Sequence, residues 1–94
     1  MTTKENLLVV AIEECSELAQ ALTKYMRFGE GQDKDNINDI WIEYYQLKEM
    51  FEMLMDNQIL APCADEFAEM ISFAKKRKVE KYAEHSRQLG LITD

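Results

Sequence analysis

The feature that most constrains this chain is an apolar pattern in its first 28 residues, where apolar side chains recur after three and then four positions. This spacing follows one face of an α-helix, so it predicts an amphipathic helix from about Lys4 to Phe28. Gly29 and Gly31 are expected to end that helix, because glycine readily adopts the backbone conformation that terminates helices. The apolar positions are Leu8, Ala11, Ile12, Cys15, Leu18, Ala19, Leu22, Tyr25 and Met26.

A second stretch repeats the same spacing and ends near Asn57, ahead of Pro62. The residues Asp33, Asp35 and Asn36 are candidate caps at its start. The short connection predicts that the two helices are antiparallel neighbours. The apolar positions of the second stretch are Ile37, Ile40, Trp41, Tyr44, Leu47, Phe51, Leu54 and Met55.

A third helix is predicted from Ala64 to about Gln88, with Gly90 closing it. The sequence therefore predicts an all-α fold of three long helices in a single domain over residues 1–94. A chain of 94 residues buries only a small core. We therefore expect an antiparallel helical bundle that is completed by oligomerisation.

The charge and composition narrow the possible partners and the compartment. A net charge of −7 disfavours binding to a nucleic acid polymer, although a compact nucleotide remains possible if divalent cations mediate. No apolar run approaches the roughly 20 residues that span a bilayer, and the first residues lack the basic flank of a signal peptide. We expect no membrane association and a cytoplasmic location. Cys15 and Cys63 are expected to be reduced, with Cys15 at a core position of the first helix.

Acidic residues occur at the edge of the apolar face in both of the first two helices. With Cys15 at the centre of the first face, Glu14 lies on its shoulder and should be partly buried, and Glu17 follows one turn later. With Tyr44 at the centre of the second face, Glu43 lies on the corresponding shoulder and Gln46 follows one turn later. Glu17 and Gln46 are about equally far from the turn, so they are expected to face each other.

Three carboxylates and one amide around one cavity would form an oxygen-only ligand set, which suits Mg²⁺ or Mn²⁺. Such an ion can activate water for attack on phosphorus and stabilise the negative charge that develops. Glutamate pairs three positions apart are also common on solvated helix faces. Spacing alone therefore leaves both interpretations open.

The segment Ile12-Glu13-Glu14-Cys15-Ser16-Glu17-Leu18 resembles the first metal-binding motif, Glu-x-x-Glu, of the MazG-like superfamily. The second motif of that superfamily is Glu-x-x-Asp, and Glu43-Tyr44-Tyr45-Gln46 stands in its place, with Gln46 where the family has Asp. Similarity to small, phage-type members continues through Lys24 and Arg27-Phe28-Gly29, through Asn36, and through the basic segment from Lys75 to Tyr82. The resemblance covers nearly the whole chain.

The resemblance implies a magnesium-dependent pyrophosphohydrolase that converts a nucleoside triphosphate to a monophosphate and pyrophosphate, in a dimeric or tetrameric helical assembly. By position, Glu14, Glu17 and Glu43 are expected to be catalytic metal ligands, with Gln46 as a fourth ligand. Because an amide carries no charge and cannot act as a base, Gln46 would weaken metal binding and turnover. Asp39, one turn before Glu43, is the alternative carboxylate if the register is shifted.

Several other residues are candidate nucleotide contacts. Lys24, Arg27 and Lys78, together with Asn36, lie in the segments that resemble the family, and basic side chains there suit phosphate oxygens. Most basic residues on helices simply face water. The aromatic residues Trp41, Tyr44 and Tyr45 could stack on a base, but core or subunit-interface positions are the favoured interpretation. The lone histidine, His85, is expected at the surface.

Two alternatives to the enzyme remain. One is a catalytically weakened or inactive MazG-like helical dimer that binds nucleotide or protein, which the missing Asp suggests. The other is an acidic helical protein-binding module, which would be favoured if Glu14 and Glu43 were far apart.

Overall fold

A computed structural model describes residues 1–29 and 35–94 of the chain. These residues form three helices and no strand: α1, Thr3–Phe28; α2, Asp35–Asp56; and α3, Asp65–Gln88. The predicted all-α class and the three helix spans are confirmed. Gly31 and Asp33, which were expected to end one helix and to cap the next, lie outside the described residues.

The ends of α1 are set by two local interactions. At its start, Thr2 caps the helix, because its Oγ1 accepts a hydrogen bond from the backbone N–H of Glu5 at 3.1 Å. At its end, Gly29 has φ 63° and ψ −150°, and its N–H donates to the Tyr25 carbonyl oxygen at 2.7 Å. A positive φ strains most L-residues, so glycine at this position allows the chain to leave the helix.

The described residues divide into two compact units, residues 1–61 and residues 62–94. The expected single domain stays a prediction. The first unit contains α1 and α2, and the second contains α3.

In the first unit, α1 and α2 pack against each other in antiparallel orientation. At the turn end, Asn36 on α2 donates from Nδ2 to the Gly29 carbonyl oxygen at 3.0 Å. At the other end, Ala11 of α1 packs with Met50 and Leu54 of α2 in a small buried core. Leu7, Val10 and Ile59 are partly buried around that core. Asn36 is buried and lies inside α2, which begins at Asp35, so the expectation that Asn36 caps this helix is wrong.

The lane of α1 that packs on α2 is not the predicted one. Cys15 is exposed, so its expected core position is wrong. Tyr44, the expected centre of the α2 face, is also exposed. The packed lanes run one residue earlier on each helix, through Ala11 and Glu14 on α1 and through Glu43 and Met50 on α2. Each helix has an apolar stripe broad enough for two lanes, and the helix pair buries only one of them.

The end of α2 folds back onto the core. The Ile59 N–H donates to the Leu54 carbonyl oxygen at 2.9 Å, and the Gln58 N–H donates to the Met55 carbonyl oxygen at 3.0 Å. This pair of bonds is the Schellman arrangement, in which a residue with positive φ ends the helix. Gln58 occupies that position with φ 58°. The turn places Ile59 against the buried Leu54.

The second unit consists of α3 and the residues around it. No residue of α3 is buried, and the apolar residues Phe67, Met70 and Ile71 are exposed. The helix ends at the predicted glycine: Gly90 has φ 78°, and the Leu91 N–H donates to the Ser86 carbonyl oxygen at 2.9 Å. His85 is exposed, as expected.

Within the described ranges, none of the helices is both long enough and apolar enough to cross a membrane.

Candidate metal centre

Three glutamates meet where the middle of α1 contacts α2. Glu14 and Glu17 lie one turn apart on α1, and Glu43 lies across from them on α2. One carboxylate oxygen from each side chain can be chosen so that all three lie within 4.8 Å of one another. The three residues that the sequence predicts as metal ligands therefore lie close together. An acidic protein-binding module would be favoured if Glu14 and Glu43 were far apart, and they are not.

Two of these carboxylates are partly buried, and each has one oxygen that accepts no hydrogen bond from the described residues. Glu14 and Glu43 are half-buried, as predicted for Glu14, whereas Glu17 is exposed. The Oε2 atoms of Glu14 and Glu43 are buried and have no hydrogen-bond partner in residues 1–29 and 35–94. A buried carboxylate oxygen without a donor is costly, so such groups are usually paired with a cation or protonated.

The electrostatics of the cluster favour protonation when no cation is present. Burial raises the pKa of the Glu14 carboxyl above its usual 4.5, and the charge of Glu17 raises it further. Burial also raises the pKa of Glu43, with the neighbouring carboxylates of Glu17 and Glu14 adding to the effect. Both shifts arise because ionisation places like charges close together in a partly desolvated position.

A cleft of about 310 Å³ opens beside this cluster. It is lined by Glu17, Gln20, Ala21, Lys24, Asp39 and Glu43. The cleft therefore combines three carboxylates with one ammonium group. Lys24, a candidate phosphate contact, shares the cleft with two of the candidate metal ligands.

The α2 partner of Glu17 differs from the expected one. Glu17 shares the cleft with Asp39 and Glu43, whereas Gln46 is exposed and is not among the residues that line it. The expectation that Glu17 and Gln46 face each other came from counting residues to the turn. The register instead follows side-chain packing, in which the small residues Ala11 and Ala21 are the buried positions of α1.

The other candidate nucleotide contacts lie in separate places. Arg27 lines a second depression, of about 420 Å³, on the surface of α1, together with Lys24 and Gln20. Lys78 lines a depression on α3 with Arg77, Lys81 and Tyr82. The Asn36 side-chain amide donates to the Gly29 carbonyl oxygen at the end of α1, a contact that the sequence did not predict. Asp39 was foreseen only as an alternative, although its spacing of four residues from Glu43 places both on one side of α2.

The aromatic residues of α2 form an exposed group away from the core. The rings of Trp41 and Tyr44 meet edge to face with centroids 5.9 Å apart, and those of Tyr44 and Tyr45 do so at 5.2 Å. All three residues are exposed, so the core interpretation is wrong for them. Subunit interface and base stacking remain the two predictions for this group.

Comparison of the chain with protein-family models, with curated protein sequences and with solved structures gives no match. The assignment of a function therefore depends on the chemistry of the residues described above and on the resemblance of the sequence motifs.

Proposed function

We propose that this chain is a metal-dependent nucleoside triphosphate pyrophosphohydrolase, as its resemblance to the MazG-like superfamily implies. The reaction would release pyrophosphate and leave a nucleoside monophosphate, from a ribo- or a deoxynucleotide. The observation that carries the proposal is the convergence of Glu14, Glu17 and Glu43 within 4.8 Å, with two buried oxygens that lack donors.

The donor set fits a hard divalent cation such as Mg²⁺ or Mn²⁺. All three side chains offer only oxygen, and carboxylates with no sulfur or imidazole nearby are the ligands that these ions prefer. Glu14, Glu17 and Glu43 would hold the ion. When bound, it would supply positive charge beside the phosphate chain, where negative charge develops as the phosphoanhydride bond breaks.

The protein side chains around the cleft would bind and orient the triphosphate. Lys24 lines the cleft, so its ammonium can neutralise a phosphate oxygen beside the carboxylates. Arg27 lies one turn further along α1 and can extend this contact along the phosphate chain. Lys78 and Asn36 stay predicted nucleotide contacts, with Asn36 already donating to Gly29.

Gln46 and Asp39 are the two candidates for the fourth ligand of the site. Gln46 is an exposed amide outside the cleft lining, whereas Asp39 lines the cleft with Glu17 and Glu43. Asp39 is therefore the better placed of the two to add negative charge. A site with Gln46 as its fourth member would bind cations more weakly than the family motif, since an amide contributes no charge.

The proposal includes assembly as a dimer or tetramer, in which further helices complete a bundle, and a cytoplasmic location. The small core supports assembly, since only four hydrophobic residues of the described chain are buried.

The test is pyrophosphate release from a panel of ribo- and deoxynucleoside triphosphates with Mg²⁺ or Mn²⁺. The native chain is compared with Glu14→Gln, Asp39→Asn and Gln46→Asp, and with Glu13→Gln as a matched control on an exposed neighbour. We expect Glu14→Gln to lower turnover by about 100-fold or more. Loss of an outer-shell partner of a metal ligand typically costs roughly 10- to 100-fold, and Glu14 would be a direct ligand. Glu13→Gln should retain turnover.

The same assay separates the proposal from its alternative. The alternative is a catalytically weakened or inactive helical dimer that binds nucleotide or protein, and the exposed Gln46 in place of Asp favours it. If the native chain shows no turnover and Gln46→Asp gains it, the chain is a MazG-like protein that is inactive because Gln46 replaces Asp. No turnover in any variant would reject the proposed hydrolase and favour a chain that only binds nucleotide or protein.

A further inference from the structure

The α1–α2 pair leaves a second apolar lane uncovered on each helix. On α1 the lane consists of Leu8, Ile12, Cys15, Ala19, Leu22 and Met26. On α2 it consists of Ile37, Trp41, Tyr44, Lys48, Phe51 and Met55, of which Ile37 and Met55, at the two ends, are half-buried. Both lanes step by four and three residues alternately, which is the spacing of a coiled-coil seam. Each lies one residue after the lane that packs inside the pair.

The two uncovered lanes lie on the same side of the pair. One residue advances a helix by about 100°, and the sense of rotation reverses between antiparallel helices viewed from one end. A one-residue advance on both helices therefore turns both lanes toward a common side. We call the twelve positions the outer face. Glu17 and Asp39, which line the cleft, lie on the opposite side, because they precede the packed lane rather than follow it.

The outer face is large enough to be an interface. Seven of its large side chains expose between 37% and 78% of their surface. Because a large side chain presents roughly 150–250 Å² in full, these residues together offer on the order of 800 Å². That area exceeds the apolar patches of roughly 300–600 Å² on typical monomers and equals the usual share of one partner in a stable complex.

The charges of the chain indicate what covers this face. The chain carries a net charge of −7, yet the outer face contains no carboxylate. Its one charged residue, Lys48, has its Nζ 5.8 Å from the centroid of the Tyr45 ring, a cation–π contact with a residue outside the face. Two copies of an acidic chain repel least where both present a surface without negative charge.

We propose that the outer face binds the same face of a second copy of this chain, so that α1 and α2 of one copy pack on α1 and α2 of the other. This inference rests on the assembly included in the proposed function, and it names the surface. Association through the outer face leaves the carboxylate cleft open to solvent on each copy. Lys48 interrupts an otherwise apolar seam, and a lysine at such a position is a known means of fixing register at a cost in stability.

The experiment measures the association of the full-length chain by sedimentation equilibrium from about 1 to 100 µM, a range typical for weak to moderate dimers. Ile12→Glu places a charge on the outer face at a side chain that is 68% exposed, so its helix should fold normally. Ile42→Glu is the matched control, because Ile42 is 50% exposed on the other side of α2. Circular dichroism checks that both variants keep their helix content.

We expect the native chain and Ile42→Glu to dimerise, and Ile12→Glu to dissociate with a loss of at least 100-fold in affinity. The only tryptophan, Trp41, lies on the outer face, so its emission should move to shorter wavelength as the native concentration rises and should not move in Ile12→Glu. Lys48→Leu should tighten association or raise the number of copies. A monomeric native chain would overturn the proposal. Dimerisation unaffected by Ile12→Glu would also overturn it. Neither result depends on catalytic activity, so failure here is distinct from failure of the proposed reaction.

Discussion

Glu14 on α1 and Glu43 on α2 meet between the two helices, and each keeps its Oε2 oxygen buried without a hydrogen-bond partner in the described chain. The two carboxylates belong to a cluster whose third member, Glu17, is exposed. Apolar contacts therefore hold the two helices together, whereas repulsion among the carboxylates opposes their contact when no cation is bound. This conflict makes the stability of the pair sensitive to protons and to divalent cations.

The metal-free chain should lose stability as the pH rises. The folded-state pKa values of Glu14 and Glu43 are raised above the usual 4.5. A raised pKa means that the folded state binds protons more tightly than the unfolded state, so the stabilisation is complete below about pH 4.5 and is lost as the pH passes the folded pKa. Urea midpoints measured with a chelator from pH 5 to pH 8, at one protein concentration, should fall for the native chain.

Glu43→Gln should flatten that decline, because the substituted amide does not ionise. Glu49→Gln, at an exposed position of the same helix, should leave it unchanged. Ionisable groups outside the cluster are common to the native chain and Glu43→Gln, so their contributions cancel in the comparison. Parallel pH profiles for the native chain and Glu43→Gln would show that the cluster does not set the dependence.

The sequence predicted the helices and the proximity of three glutamates well, because both depend largely on local spacing. Apolar periodicity and glycines define helix ends, and Glu14 and Glu17 are neighbours on one side of a helix whatever surrounds it. Which apolar lane would be buried was not predictable from periodicity. Leu8 and Leu7 are equally apolar, and the choice between their lanes is made by packing against α2, which uses the lane containing Ala11.

The dependence on packing also explains why the residue opposite Glu17 was predicted wrongly. Gln46 was expected opposite Glu17 from a residue count, but the register between two helices depends on how their side chains interlock. Asp39 consequently shares the cleft with Glu17, and Asn36 is buried for a structural purpose. Neither contact has a signature in the sequence of one helix alone.

Asn36→Ala should destabilise the chain by about 1–2 kcal/mol. The Asn36 side chain is only 8% exposed, and its Nδ2 donates to the Gly29 carbonyl oxygen at 3.0 Å. Its removal leaves that carbonyl without this donor and costs roughly one hydrogen bond plus lost contacts. Asn38→Ala, at an exposed position two residues later, should change the free energy of unfolding by less than about 0.5 kcal/mol. Urea unfolding measures both.

The same variant separates the structural role of Asn36 from its predicted nucleotide contact. A structural role lowers the free energy of unfolding. A nucleotide contact would raise KM in the folded variant, whereas a purely structural role would leave the KM of the folded protein unchanged.

Leu54→Ala should be the most destabilising single truncation in the first unit, at about 2–4 kcal/mol. Leu54 is 5% exposed, the least of the buried hydrophobic residues, and it packs with Ala11, Met50 and Ile59. Truncation would leave a cavity that the backbone of two helices cannot easily close. Met53→Ala, at a side chain that is 37% exposed, should cost less than half as much. Equal losses in urea unfolding would mean that the contact between α1 and α2 is not the stabilising core.

Gln58→Gly should stabilise the end of α2 slightly, by up to about 1 kcal/mol. Gln58 has φ 58°, a conformation that costs an L-residue with a Cβ roughly 1–2 kcal/mol, and glycine adopts it without that cost. The greater freedom of glycine in the unfolded chain offsets part of the gain, by roughly 0.5–1 kcal/mol. Asn57→Gly is the comparison: Asn57 does not have a positive φ, so glycine gains nothing there. Its Nδ2 also donates to the Met53 carbonyl oxygen at 2.8 Å, so the variant loses that hydrogen bond as well as entropy, and stability should fall. The two glycine variants should therefore move the urea midpoint in opposite directions, and a fall in both would indicate that the turn does not hold Gln58 in the left-handed region in solution.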